Sequence, residues 1–266
     1  MIVMVILRNI KDKIYADSRY FSLKPNDKVV VETEHGIEVG TVCAKVLDVL
    51  EDESVTNKIL RKMTIDDKKR FIENEMRSLK VRSIVLRKVQ YYNLDMKLAC
   101  VQYIFDRSKL FVYYTSETRV DFRKLIKDLG YALKTRIQMV QIGVRDESKI
   151  FGGIGTCGQI LCCRNFLKDF NSVTMDMAKE QNLSLNAAKL SGLCGRLMCC
   201  IAYENEIYKD IKRSLPEIGQ TIFTPDGKAK LVAIDCIKEI VVVDFGNKTL
   251  KMFTINQVKN VKIKCD

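Results

Sequence analysis

Histidine and proline are scarce: one histidine, His35, and three prolines stand among 266 residues. A lone histidine argues against nucleophilic catalysis of the kind that sets an imidazole base beside serine or cysteine. Few prolines, with 47% hydrophobic and 29% charged residues, are unlike a disordered chain. Also missing is any run of about 18 apolar residues, the length that marks a membrane-spanning helix. The apolar opening Met1 to Leu7 stops at Arg8 and has neither a basic leader nor a small-residue cleavage site, so it reads as a strand. The expectation is a soluble, cytoplasmic protein long enough to bury a core. In a reducing cytosol its ten cysteines are expected as thiols or metal ligands rather than disulfides.

Charge is present in excess: 45 Lys and Arg against 33 Asp and Glu give a formal +12. Such a balance favours acidic partners, RNA contact among them. The lysines are spread along the chain rather than gathered in a block, so a solvated surface accounts for much of the excess.

The order of patterns predicts an α+β protein: a central ferredoxin-like αββαβ segment, small β-barrel-like units at both ends, and a cysteine-rich helical insert. The expected segments are an N-terminal β-rich unit over 1–57, an α+β domain over 58–150, a cysteine-rich metal-binding segment over 151–210 and an SH3-like β unit over 211–266. Thr64-Ile65-Asp66-Asp67 resembles a capping box ahead of a long basic helix. On that helix Ile72, Met76, Leu79 and Leu86 recur at helical spacing and are expected to face a core. Runs at Lys97 to Phe105 and Leu110 to Thr115 read as a hairpin. A helix from Asp121 to Leu129, ended by Gly130, and a strand near Ile137 to Val144 complete the segment.

The most specific feature is a repeat: Cys157-Gly158-Gln159-Ile160-Leu161-Cys162-Cys163 and, 37 positions on, Cys194-Gly195-Arg196-Leu197-Met198-Cys199-Cys200. Six of the ten cysteines lie here. If Cys157 and Cys194 sit at helix N-termini, the unpaired N–H groups there stabilise thiolate, the metal-binding form. Glycine after the first cysteine allows close backbone approach, and the aliphatic pairs would seat each helix on the core. The bland alternative is that the six are small core residues; duplication of the whole triplet argues against it. Neither copy has the Cys-x-x-Cys knuckle of structural zinc, so an iron-sulfur cluster ranks above zinc for Cys157, Cys162, Cys163, Cys194, Cys199 and Cys200. A cluster takes four thiolates and each copy offers three, so either one cluster is shared between copies or a partner completes the set. Cys43, Cys100, Cys236 and Cys265 are isolated and read as core or surface residues, and His35 as a turn residue.

Gly153-Ile154-Gly155-Thr156-Cys157-Gly158 satisfies the G-x-G-x-x-G dinucleotide pattern, but the polar stretch after Phe166 lacks the strand-turn-helix-strand setting that pattern requires. A glycine-rich metal loop is the better reading. No radical-enzyme Cys-x-x-x-Cys-x-x-Cys triplet occurs, and catalysis is not expected.

The chain resembles the YaaT/RicT family of bacterial regulators, which carry the polymerase-suppressor-type C-terminal domain. The resemblance spans nearly the whole sequence. It is carried by Lys28 to Thr33 with Gly40-Thr41-Val42, by Val120-Asp121-Phe122-Arg123, by Gln141 to Glu147, by Gly152 to Cys163, and most strongly by Ala178 to Asn186 followed by Ser191 to Cys200. Gln159-Ile160 and Ala187 depart from the family's usual Arg-Pro and Pro without touching the thiols. The resemblance implies a non-catalytic subunit, with 4Fe-4S clusters on the same six cysteines, in a complex with YlbF/YmcA-type small helical proteins. It further implies modulation of RNase Y, hence of mRNA processing, sporulation, competence and biofilm formation. The rival is an RNA-binding adaptor whose cysteines hold structural zinc or are only structural.

Overall fold

Short runs of valine, isoleucine and leucine close into a barrel at the start of the chain. In the computed structural model, which describes residues 2–7, 13–18, 21–45, 56–167, 170–213, 216–246 and 249–259, the barrel strands are β1 (Ile2–Leu7), β2 (Lys13–Asp17), β3 (Lys28–Thr33), β4 (Gly36–Lys45) and β5 (Asn57–Lys62). They pair in the closed order β1-β2-β5-β3-β4. Alternation aims Val3, Val5, Val29, Val31, Val42 and Ile59 inward, all fully buried. Among the described residues, closure leaves this barrel no edge strand.

The long basic helix α1 (Ile65–Tyr91) begins as its capping box predicts. Thr64 Oγ1 accepts from Asp67 N at 3.1 Å, and the Asp67 carboxylate accepts from Thr64 N at 3.1 Å. Arg61 also grips that carboxylate, Nη2 to Oδ1 at 2.8 Å, and its guanidinium holds Asp67 down to about 2. A carboxyl depressed in the folded state stabilises above its unfolded pKa of about 4 and loses that stabilisation as pH falls toward 2. Arg61 is half exposed, so screening leaves the pair about 1 kcal/mol. Asp67→Asn is therefore expected to lower the melting temperature at neutral pH and to flatten its fall through that acid window, checked by thermal melts across pH.

The outward face of α1 differs from expectation. Ile72, Met76, Leu79 and Leu86 are exposed, and the buried face carries Asn74, Ser78, Val81, Val85 and Val89 instead. Polar residues on that face are used by the neighbouring sheet. Asn74 Nδ2 donates to Phe105 O at 3.0 Å, and Ser78 Oγ accepts from Tyr103 N at 3.2 Å. The sheet they meet is β6 (Lys97–Tyr103), β7 (Lys109–Thr115) and β8 (Arg136–Gln141), in that order, with β6 and β7 antiparallel and β7 and β8 parallel. Val81, Val85 and Val89 pack on Leu98, Val101 and Val112 of the sheet, with Leu125 and Leu129 of α2 (Arg123–Leu133). Gly130 lies inside α2, which ends instead at Lys134 in the left-handed region (φ 49°), so that Leu133 still reaches this core.

The order αββαβ is thus present. The strand before α1, which would add a fourth member to a ferredoxin-like sheet, is β5, and it closes the barrel. Two short helices follow, α3 (Val144–Phe151) and α4 (Cys162–Asn165); Val144, expected at the end of a strand, opens α3.

The chain divides into two compact units, Met1–Phe166 and Leu167–Asp266. The second contains α5 (Met175–Glu180), α6 (Ala187–Leu190), α7 (Cys199–Arg213), strands β9 (Thr221–Thr224), β10 (Gly227–Asp235), β11 (Ile240–Asp244) and β12 (Leu250–Thr254), and α8 (Ile255–Lys259). The strands form an antiparallel sheet ordered β12-β11-β10-β9; among the described residues this sheet is open. Leu231, Val241 and Val243 are its core, covered by Ile255 and Val258 of α8. Among the described residues no helix is long and apolar enough to cross a membrane.

Candidate metal centre: two copies of one cysteine loop

Glycine gives both cysteine segments the same shape. Gly158 (φ 79°) and Gly195 (φ 74°) are left-handed, a region that costs other L residues about 1–2 kcal/mol. Each closes a turn through its own N–H: Gly158 N donates to Gly155 O, and Gly195 N to Gly192 O, both at 2.9 Å. A one-bridge hairpin spans each turn, pairing Ile154 with Ile160 and Ser191 with Leu197. The hairpin bonds match too: Gly155 N donates to Gln159 O and Gly192 N to Arg196 O, both at 2.8 Å. The first thiol folds back over the first glycine of its loop. A Cβ on Gly155 would lie 3.4 Å from Cys157 Sγ, and one on Gly192 3.9 Å from Cys194 Sγ.

The paired cysteines, rather than Cys157 and Cys194, open the helices: α4 starts at Cys162 and α7 at Cys199. The left-handed glycine forbids a helix from running through the turn, so helix begins only after the aliphatic pair. That pair seats only the second copy as expected. Leu197 and Met198 pack on Ala178, Leu190 and Ile201, whereas Ile160 is exposed.

Five of the six repeat cysteines are at least partly exposed. Cys157 is exposed, Cys162, Cys194, Cys199 and Cys200 are half-buried, and Cys163 is buried. The isolated cysteines differ in kind. Burial pushes the thiols of Cys100 and Cys236 up, away from the thiolate that metals bind. Cys236 belongs to the sheet core, Cys43 is half-buried in β4, and Cys265 lies outside the described residues. His35 stands in the β3–β4 turn with its ring 5.9 Å from that of Phe111. Among the described residues no three His, Cys, Asp or Glu side chains gather into a group that could hold a metal ion. In donor chemistry the loops nonetheless suit a thiophilic centre: each offers three thiols and no carboxylate or imidazole.

Supporting residues hold each loop; Gln181 and Asn182 fall in the stretch that carries the family resemblance, whereas the role of Arg164 had no sequence signal of its own. Arg164, directly after Cys163, donates from Nη1 to Ile150 O at 2.8 Å and to Lys149 O at 3.2 Å, tying the first loop to the last turn of α3. Gly152 (φ 76°) makes room, since a Cβ there would meet Arg164 Nη1 at 2.8 Å. Arg164→Met should cost the first unit about 1.5–3 kcal/mol, the range for hydrogen bonds involving a charged group, and should be read as a lower melting temperature. In the second unit Gln181, buried, donates to Ile201 O at 2.6 Å, and Asn182, left-handed at φ 56°, donates to Ile234 O at 3.1 Å. The stretch Ala178 to Asn186 therefore braces α7 at its cysteine end. Arg164 also borders a cavity of about 390 Å³ beside Asn74 and Ser78. All three of these side chains are engaged in holding backbone.

Comparison with known proteins places these parts. The PSP1 C-terminal conserved region matches residues 57–142, from β5 through β8. The third domain of PSP1-like proteins matches residues 172–215, which contain the second cysteine loop and α7. The stage 0 sporulation protein YaaT of Bacillus subtilis is 46% identical over 238 residues, covering 88% of this chain and 86% of that protein. An uncharacterized protein of Schizosaccharomyces pombe is 27% identical over 161 residues, 49% of this chain and 22% of its own length. No solved structure matches.

Proposed function

The chain belongs to the YaaT family of proteins with a PSP1 C-terminal conserved region, and from that premise we propose that it is a non-catalytic regulatory subunit whose two cysteine loops bind iron-sulfur clusters. The observation that carries the proposal is the repetition of one backbone turn, bond for bond, around two identical thiol triplets. Core packing needs no such repetition, because a buried cysteine is satisfied by any apolar surroundings.

Cys157, Cys162 and Cys163 would serve one loop, and Cys194, Cys199 and Cys200 the other. The left-handed glycines shape each turn, Arg164 and Gln181 hold the flanking helices, and α7 brings the positive end of its dipole to Cys199 and Cys200. A bound cluster would supply redox and oxygen sensitivity, set by the hydrogen bonds and burial around its sulfurs. Each loop has three thiols where a cluster takes four, so the ligand set is completed from outside the loop.

The relative's name ties it to sporulation. We extend that role to this chain, acting with YlbF/YmcA-type helical proteins on RNase Y-dependent mRNA processing, with competence and biofilm formation under the same control. The test is oxygen-free purification followed by iron and acid-labile sulfide assays and a visible absorption spectrum. Broad visible absorption with iron and acid-labile sulfide in matched amounts is the expected result. Zinc without sulfide would favour the adaptor reading, and RNA binding that falls steeply with salt and survives loss of the thiols would establish it.

A further inference from the structure

The exposed stripe on α1 has a repeat of its own. Ile65, Ile72, Leu79 and Leu86 follow one another at intervals of seven residues and are 78%, 50%, 64% and 43% exposed, and Met76, 56% exposed, lies between two of them on the same face. Seven residues are close to two helical turns, so these side chains make one seam about 30 Å long. The opposite face is already committed to the sheet through Val81, Val85 and Val89. An exposed aliphatic ridge at one position of each heptad, widened by Met76, is a face that a second helix can cover by ridge-into-groove packing.

Charge specifies the other half. Lys68 and Arg82 lie on the seam itself, three residues after Ile65 and Leu79, and Lys80 and Arg87 flank it; all four are exposed and without an ion pair among the described residues. The acidic residues near it lie in its first half: Asp66 is 3.8 Å from Lys69, Glu73 pairs with Arg107 at 2.9 Å, and Glu75 stands between Ile72 and Leu79. From Leu79 to Leu86 the flanks carry cations alone. Aliphatic side chains offer RNA neither stacking nor hydrogen bonds. A second copy of α1 would bring its own basic flanks to the pairing.

We propose that the outward face of α1 docks an amphipathic helix of an acidic partner protein, with carboxylates opposite Lys80, Arg82 and Arg87. The proposal rests on the reading of this chain as a subunit of an assembly and names its contact surface. Leu79 and Leu86 are the anchors nearest the cations, which set partner choice and encounter rate.

The probe is a synthetic four-heptad peptide with leucine at its core positions and glutamate at both flanking positions, where mutual repulsion keeps it from pairing with itself. Its binding to the full chain is followed by fluorescence anisotropy. The Leu79→Ser/Leu86→Ser variant is expected to bind at least about tenfold more weakly, and Lys80→Glu/Arg87→Glu likewise, with melting temperatures close to wild type because all four positions are solvent-exposed. Equal binding of a scrambled peptide of the same composition would overturn the proposal. So would loss, in these same variants, of wild-type binding to single-stranded RNA or to anionic vesicles while the peptide is ignored, or conversion of a wild-type dimer to monomer by light scattering. The two readings fail separately. A wild type without iron that still binds the peptide removes the cluster and supports the docking face; an iron-bearing wild type that ignores the peptide removes the docking face alone.

Discussion

Replacing Cys157 and Cys194 together with serine is expected to strip the oxygen-free protein of iron and acid-labile sulfide, to below about a tenth of wild type, since hydroxyls do not replace thiolates as cluster ligands. The folded units should survive the change. Both residues sit in turns, one exposed and one half-buried, where a small polar side chain stays in reach of water. The contrast is Cys236→Ser, where the side chain is 5% exposed within the sheet core. Burying a hydroxyl there should cost about 1–3 kcal/mol and leave iron unchanged. Iron retained in full by the double variant would end the assignment of these loops as ligands. Iron lost from Cys236→Ser while its fold persists would extend the ligand set beyond the repeat.

The second large effect is expected at Gly40. This glycine lies in β4 opposite Leu7 of β1, and a Cβ there would come within 2.2 Å of Val5 Cγ1 and 3.1 Å of Ile6 O. Val5 is fully buried in a closed barrel, so neither the side chain nor the paired backbone has space to retreat. Gly40→Val should destabilise the first unit by about 3 kcal/mol, the upper end of ordinary overpacking, and lower its melting transition by about 10 °C. Gly130→Ala supplies the opposite sign. It lies inside α2 with no atom within 4 Å of the added carbon, so it should stabilise by about 0.5–1 kcal/mol through helix propensity. Differential scanning calorimetry on both variants reads the two shifts.

These two glycines also show where the sequence was readable. Gly130 looked like a helix terminator because glycine commonly follows a last turn, yet Leu133 beyond it packs into the core, and that burial carried the helix one turn further. The capping box at Thr64 was plain because its hydrogen bonds join residues three apart. The hairpin of β6 and β7 was plain for a similar reason: its turn, Asp106-Arg107-Ser108, is local, and Arg107 takes the left-handed conformation (φ 65°) the turn needs. On α1, by contrast, two faces had helical periodicity. Ile72, Met76, Leu79 and Leu86 are more apolar than Asn74 and Ser78, and hydrophobicity alone chose the wrong one. The sheet chose otherwise, because Asn74 and Ser78 satisfy backbone groups at Phe105 and Tyr103 that no isoleucine could bond.

By itself the sequence determined the thiol inventory, the duplication of the loop, the alternation of the barrel strands and the start of α1, since each depends on residue chemistry or on neighbours a few positions apart. Only the tertiary structure decided that β5 closes the barrel, that the paired cysteines rather than the leading ones open helices, and that the seven-residue repeat of α1 faces outward. The first and last rest on strand pairing and on competition between two helix faces for one sheet, long-range partners that leave no mark within a short window of sequence; the helix starts rest on local left-handed turns at Gly158 and Gly195, a conformation that glycine permits without requiring.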